Sequence, residues 1–177
     1  MAASCSYSIR KLQGSDSVNS FKSGDQLFAP LKAFLKNHAK EFQYSHVAQT
    51  YVAADSSNKV LGFITLTCSE VDLRNGYSLQ DCTHANNYDS LPAIKIARLA
   101  VDSRYRGNLI GENLIAYALS LAIDVIAPSV GCRFVIADAK TSAVSFYLKQ
   151  GFTLLDTEDN QQRDEPIMFM DLLPLLD

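Results

Sequence analysis

Leu99-Ala100-Val101-Asp102-Ser103-Arg104-Tyr105-Arg106-Gly107-Asn108-Leu109-Ile110-Gly111 is the stretch on which the fold turns. Ala93–Asp102 (AIKIARLAVD) reads as a strand, and Ile110, Leu114, Ala118, Leu121 and Val125 then fall on one apolar face of a helix that Pro128 and Gly131 end. Arg133–Ala139 (RFVIADA) is the next strand, so the segment predicts a parallel strand–helix–strand unit. Glycines in Arg106–Gly111 let the backbone approach a ligand, and the free amides and positive dipole end of the following helix suit a pyrophosphate. A plain strand-to-helix turn would account for one G-x-x-x-G equally well, so the reading depends on the sequence around it.

Upstream, Ser6–Leu12 alternates as a first strand, and Phe21-Lys22-Ser23-Gly24 leads into a helix over Asp25–Lys40. Leu27, Phe28, Leu31, Phe34 and Leu35 give that helix its apolar spacing, and Pro30 marks where it settles. Val47–Ala54 and Lys59–Ser69 pair as a hairpin through Asp55-Ser56-Ser57-Asn58. Residues 70–92 are polar, dotted with aromatics and unpatterned, which predicts a long loop bordering a site. Downstream, Thr141–Gln150 reads as a short helix with Thr141 as N-cap and Gly151 as its terminal glycine. Phe152–Thr157 and Pro166–Leu172 are the last strands. The order predicts an α+β fold, one domain over residues 1–177 with a mixed, mostly antiparallel sheet flanked by helices.

Size and composition suit one globular core, with 177 residues that are 47% hydrophobic and 20% charged. No apolar run approaches the roughly 18 residues of a membrane helix, and MAASCSYSIRKLQ lacks the apolar core of a secretory signal. A cytoplasmic protein without membrane contact is expected. Cys5, Cys68, Cys82 and Cys132 form no C-x-x-C pair and read as reduced structural thiols. The net charge of −3 is uneven: residues 156–177 hold seven acids against Arg163 alone, leaving +3 for the rest. Neither part has the basic excess of a nucleic-acid binder, so charge does not support tRNA as a partner.

Ala143, Phe146, Tyr147, Gly151 and Phe152 fill the pattern Ala-x-x-Phe-Tyr-x-x-x-Gly-Phe in full. Together with Arg106–Gly111, that match makes the chain resemble the GNAT superfamily of N-acetyltransferases over nearly its whole length. The resemblance implies acetyl-CoA as acetyl donor, no metal, and a splayed parallel strand pair at the cofactor site. It implies that Leu99, Ala100 and Val101 pair with the pantetheine arm, that Arg106, Gly107, Asn108, Leu109, Ile110 and Gly111 hold the pyrophosphate, and that Phe146 lies at the cofactor. Leu109 stands where the family pattern has glycine. The expectation is that Leu109 keeps a negative φ, with Gly107 and Gly111 taking the unusual angles.

Phe21, Ser23 and Gly24, the leucines at 27, 31 and 35, and Pro92 with Ala97–Asp102 narrow the resemblance to the GNAT toxins of bacterial toxin–antitoxin pairs. Such toxins acetylate the amino group of aminoacyl-tRNA, which implies an antitoxin-like DNA-binding partner; a homodimer is also compatible. The charge balance instead favours a small-molecule or peptide primary amine as acceptor. A catalytically weak GNAT domain serving as a binding subunit is the reading from another class.

Acetyl transfer requires two helpers, because attack on a thioester builds an oxyanion and then expels a thiolate whose acid has a pKa near ~8.5. A backbone amide on Leu99–Val101 can hold the oxyanion. Tyr147, whose phenol has an ordinary pKa near ~10, can donate to the departing sulfur; without the resemblance it reads as a packing aromatic. His38, His46 and His84 lie in neither motif, and water can serve as base. Cys82-Thr83-His84 lacks further metal ligands at useful spacing. Lys140 and Thr141 read as cofactor contacts or as a surface lysine and a cap. Glu70 and Arg98 read as orienting the acceptor amine or as an ordinary salt bridge.

Overall fold

A computed structural model describes residues 6–176. In chain order the elements are β1 (Ser8–Lys11), α1 (Ala29–Asn37), α2 (Ala39–Tyr44), β2 (Gln49–Ala54), β3 (Val60–Val71), β4 (Leu91–Val101), α3 (Ile110–Leu121), α4 (Ala127–Val130), β5 (Phe134–Asp138), α5 (Val144–Lys149), β6 (Thr153–Leu154), α6 (Glu158–Gln161) and β7 (Ile167–Asp171). Hydrogen-bonded strand order is β1-β2-β3-β4-β5-β7-β6. β4 and β5 are parallel, and the β1–β2, β2–β3, β5–β7 and β6–β7 pairs are antiparallel. The mixed α+β sheet expected from the sequence is present. β5 pairs with β4 only over Ala93–Ile96, while β4 continues to Val101.

The chain divides into two compact units, Met1–Thr67 with Ala97–Ala118 and Cys68–Ile96 with Leu119–Asp177. In the first, the β2–β3 hairpin closes through Asp55, whose Oδ1 accepts from the Ser57 and Lys59 amides, with Asn58 at φ 58°. Its core gathers Phe21, Phe34, Leu35, Val52, Val60 and Phe63, with Phe21 and Phe63 edge to face at 5.7 Å. The helix expected over Asp25–Lys40 is broken. A 3-10 turn at Gln26–Phe28 is capped by the Asp25 carboxylate, α1 starts with Pro30 in its first turn, and the chain kinks at His38, φ −127°, before α2. Proline lacks the amide that a helix interior needs, so it sits where a helix begins.

In the second unit, Phe134 and Phe169 pack edge to face with Tyr77 over Val71, Leu73, Leu79 and Leu155. The stretch 70–92 is therefore less of a loop than its composition predicts. β3 runs into it as far as Val71, β4 begins at Leu91, and Asn86 brackets Leu79 with two 2.9 Å bonds in the manner of a strand partner. Helix α6 and the two-residue β6 also depart from the sequence reading, which gave one strand over Phe152–Thr157. The run Ile110–Val130 is helical throughout, with a π turn at Ala122–Ile126 where the Ala127 amide reaches back to the Ala122 carbonyl. By length and composition alone it could cross a membrane, contrary to the expectation that no apolar run is long enough: Glu112, Asn113, Ser120 and Asp124 interrupt its apolar character without breaking the helix. Ile110, Leu114, Ile115, Ala118 and Ala122 on it are buried in the protein.

Two carboxylates, Asp16 buried and Asp171 partly buried, tie loops to these cores. Asp16 accepts from the Arg10 guanidinium at 2.6 and 2.9 Å, and Asp171 from Arg133 at 2.6 and 2.7 Å. Burial pushes both carboxyls up. Arg10 and the Gln13 amide outweigh it for Asp16, and Arg133, the Leu173 amide and Tyr77 for Asp171, so both lie below the usual range. A depressed carboxyl contributes stability above its unfolded pKa of ~3.9, and that stability is lost as pH falls through the folded value. The melting temperature should hold from pH ~7 to ~5 and drop below pH ~4, less steeply in Asp16→Asn and Asp171→Asn. Equal acid slopes in all three proteins would refute this assignment.

Candidate functional site

The loop after β4 is held from beneath by Asp102, which is 0% exposed. Its carboxylate accepts from the Arg104 amide at 3.0 Å, from Arg104 Nε and Nη2 at 2.9 and 2.6 Å, and from the Lys22 amide at 3.0 Å. The Ser103 amide donates to the Lys22 carbonyl, Arg104 Nη2 to Ser20 O and Arg106 Nη2 to Ser23 O. The segment Phe21–Gly24 is thus clamped along the loop. Gly24, φ 81°, is required there: a Cβ on it would lie 2.9 Å from that of Ser103. None of the seven amides from Arg106 through Glu112 finds an acceptor among the described residues.

Leu109 contradicts the expectation of a negative φ. It lies at φ 57°, Gly107 at φ 82°, Asn108 between them does not share that hand, and Gly111 is an ordinary buried residue of α3. Alternating hand curls successive amides to one side, which is the form of an anion-binding nest. The leucine therefore follows the path a glycine would take, and its side chain, 62% exposed, points away from the core. Its carbonyl accepts the first α3 bond, from the Asn113 amide at 2.9 Å, and Asn108 Nδ2 pins the loop to Tyr105 O.

Tyr147 lies on α5 in the second unit, 6% exposed. The Gly151 amide donates to Leu148 O and the Phe152 amide to Tyr147 O, with Gly151 at φ 86°. That is a Schellman ending, and the ring contact that accompanies it is Tyr147 with Phe152, 5.3 Å apart. Phe146 also packs edge to face on Tyr147, at 5.5 Å. The Phe-Tyr-x-x-x-Gly-Phe spacing is thus a helix terminator that fixes one tyrosine. Its hydroxyl has no hydrogen-bond partner among the described residues, and since no sealed side-chain oxygen or nitrogen there lacks one, the hydroxyl opens to a surface. Burial of the ring raises the phenol well above its ordinary pKa.

Residues 46–154 match the Acetyltransferase (GNAT) domain family. The chain is a GNAT acetyltransferase. It is similar to a tRNA-acetylating toxin of Mycobacterium tuberculosis (strain ATCC 25618 / H37Rv), 26% identical over 150 residues that span 84% of this chain and 86% of the relative. Its fold is similar to that of AtaT complexed with acetyl-methionyl-tRNAfMet, TM-score 0.82 at 21% identity, covering 96% of this chain and 97% of that one. It is also similar to a tyrosine-to-phenylalanine variant of AtaT bound to the C-terminus of the antitoxin AtaR and acetyl-CoA, TM-score 0.73 at 20% identity, covering 97% and 99%.

In this GNAT acetyltransferase the loop, the segment Leu99–Val101 and Phe21–Gly24 belong to the first unit, and Phe146 and Tyr147 to the second. Thr141 is not an N-cap: its hydroxyl bonds Asp164 O, and Lys140 pairs with Glu165, which ties residues 140–141 to 164–165. Glu70 accepts from Ser90, and Arg98 forms no salt bridge among the described residues. His38 packs between Phe34 and Phe42; His46 and His84 are exposed. Cys132 is buried, Cys68 and Cys82 are exposed, and Cys5 lies outside the described residues. Among those residues no three His, Cys, Asp or Glu side chains gather as a metal site. A cavity of about 710 Å³ in the second unit is lined by Asp72, Asp156, Glu158 and Asp159 with Arg74 and Arg163, a lining that repels pyrophosphate. Asp102 and Lys22 escaped sequence reasoning, since their contact spans 80 positions.

The left-handed leucine gives a direct test of the loop. A non-glycine residue there costs about 1–2 kcal/mol, partly offset by the unfolded-state entropy a glycine adds. Leu109→Gly should therefore leave the backbone in place, raise stability by up to about 1 kcal/mol, and keep acetyl-CoA affinity within about threefold. A tenfold gain in affinity would show that the leucine side chain obstructs the site.

Proposed function

We propose that the chain transfers the acetyl group of acetyl-CoA to the amino group of aminoacyl-tRNA, as a toxin held in check by an antitoxin partner in the cytoplasm. The observation that carries this reading is the similarity to a tRNA-acetylating toxin across 84% of this chain and 86% of the relative, far beyond the two family motifs. Charge supports it once divided by unit. The first unit has ten Lys and Arg against six Asp and Glu, +4, and the second six against thirteen, −7. The positive charge thus accompanies the loop with the open amides, which supports an RNA acceptor there, while the acidic tail shares the other unit with Tyr147.

The residues fit acetyl-CoA: seven open amides, four of them preceding α3 and three in its first turn, and the Arg106 cation suit a pyrophosphate. Leu99–Val101 would pair with the pantetheine amides beyond the end of β5, and Phe146 would pack on the arm. When bound, acetyl-CoA supplies an acetyl carbon activated as a thioester. Tyr147 then acts at one atom. As the amine forms its C–N bond and the C–S bond breaks, its hydroxyl donates to the sulfur. A phenol so far above the thiol pKa of ~8.5 keeps its own proton at rest, and the proton that ends on sulfur is made good by the one the amine sheds. Controlled expression in bacteria tests the reading: growth should stop, and Tyr147→Phe should restore it. Normal growth with abundant, active protein would argue against a toxin.

A further inference from the structure

Of the seven arginines, six donate to an oxygen of the protein: Arg10, Arg74, Arg104, Arg106, Arg133 and Arg163. Arg98 does not. Its guanidinium carbon lies 3.7 Å from the centroid of the Phe34 ring, directly over the face, and no acceptor meets it among the described residues. Phe34 is itself fixed, 5% exposed, with Phe42 edge to face at 5.4 Å. A planar cation held over a ring face by its central carbon leaves N–H groups at its rim for an anion, preset in the fork that matches a phosphate or carboxylate. Half-buried and unpaired in a unit of net charge +4, it bears a desolvation cost that no acid of that unit relieves. Asp16 and Asp102 are committed to Arg10 and Arg104, Asp25 and Asp55 accept from turn amides, and neither Glu41 nor Glu112 bonds Arg98.

We infer that Arg98, stacked on Phe34, is the receptor for a backbone phosphate of the acceptor RNA. No described residue supplies the anion that would complete the pair, and it comes with the substrate; the inference rests on the aminoacyl-tRNA reading above. Arg98 sits on β4 one residue before Leu99–Val101, so the strand proposed to hold acetyl-CoA would also carry the contact that orients the acceptor.

Arg98→Met keeps the stem against Phe34 and removes the donors. With bulk aminoacyl-tRNA, KM should rise at least tenfold while the acetyl-CoA KM stays within twofold and the melting temperature within about 3 °C. The salt dependence of tRNA binding should flatten by about 0.7–0.9 in log–log slope, the loss of one phosphate contact. Arg98→Lys, which keeps charge and stem but loses the fork, should lie between, and it serves if the methionine variant does not fold. KM and slope equal to wild type in folded Arg98→Met, or an unchanged KM in Arg98→Lys where the methionine variant does not fold, would overturn the inference alone. A wild-type protein that acetylates small amines but no aminoacyl-tRNA would overturn the functional reading, and the inference with it.

Discussion

Tyr147→Phe is expected to lower kcat by about 10²–10⁴, the usual effect of removing a positioned proton donor, while leaving fold and cofactor binding in place. The ring is held by Phe146, Phe152 and the Schellman bonds of Gly151 and Phe152, none of which involves the hydroxyl. That hydroxyl bonds nothing among the described residues, so its loss leaves no orphaned partner. Stopped assays with saturating acetyl-CoA, beside melting curves with and without acetyl-CoA, separate the outcomes. An unchanged kcat would leave Tyr147 as a packing residue. A lowered melting temperature would show that the hydroxyl is structural.

The second large effect is expected at Asp102. Replacing it by alanine removes the acceptor for two backbone amides and the Arg104 guanidinium at one buried point. Breaking a fully buried pair costs about 3–5 kcal/mol, and because Arg104 can still reach water, about 2–3 kcal/mol is expected here, or roughly 5–10 °C in Tm. The carboxylate also sets the position of Phe21–Gly24 against the loop, so acetyl-CoA affinity should fall about tenfold in Asp102→Ala and less in Asp102→Asn, which keeps an amide acceptor. Stability lost without any change in acetyl-CoA affinity would mean that the clamp does not shape the loop.

Local signals gave most of the fold. The β2–β3 hairpin was legible because short side chains that suit a tight turn separate two apolar runs, and Asp55 and Asn58 form that turn. The parallel β4–β5 pair followed from strand, helix and strand in succession, and Gly151 announced the end of α5. Contacts distant in sequence were illegible. Nothing near Asp102 indicates that it serves Lys22, and an unpaired Arg98 can be recognised only after every other arginine has found its oxygen. Leu109 was misread because propensity assigns leucine a negative φ, whereas the loop imposes its path on whichever residue stands there. The charge balance reads differently in the structure for a related reason. Cutting the sequence at residue 156 balances the remainder at +3, but the units are assembled from alternating segments, and only that assembly separates +4 from −7.

The central claim is that this acetyltransferase modifies the amino group of aminoacyl-tRNA. The most direct measurement incubates the purified protein with radiolabelled acetyl-CoA and bulk aminoacyl-tRNA, with free amino acids and peptides in parallel, and releases the amino acid from the RNA by mild alkali. The account predicts label recovered as N-acetyl amino acid from the RNA fraction, dependent on Tyr147. Label on free amines or peptides, with none on aminoacyl-tRNA, would contradict it.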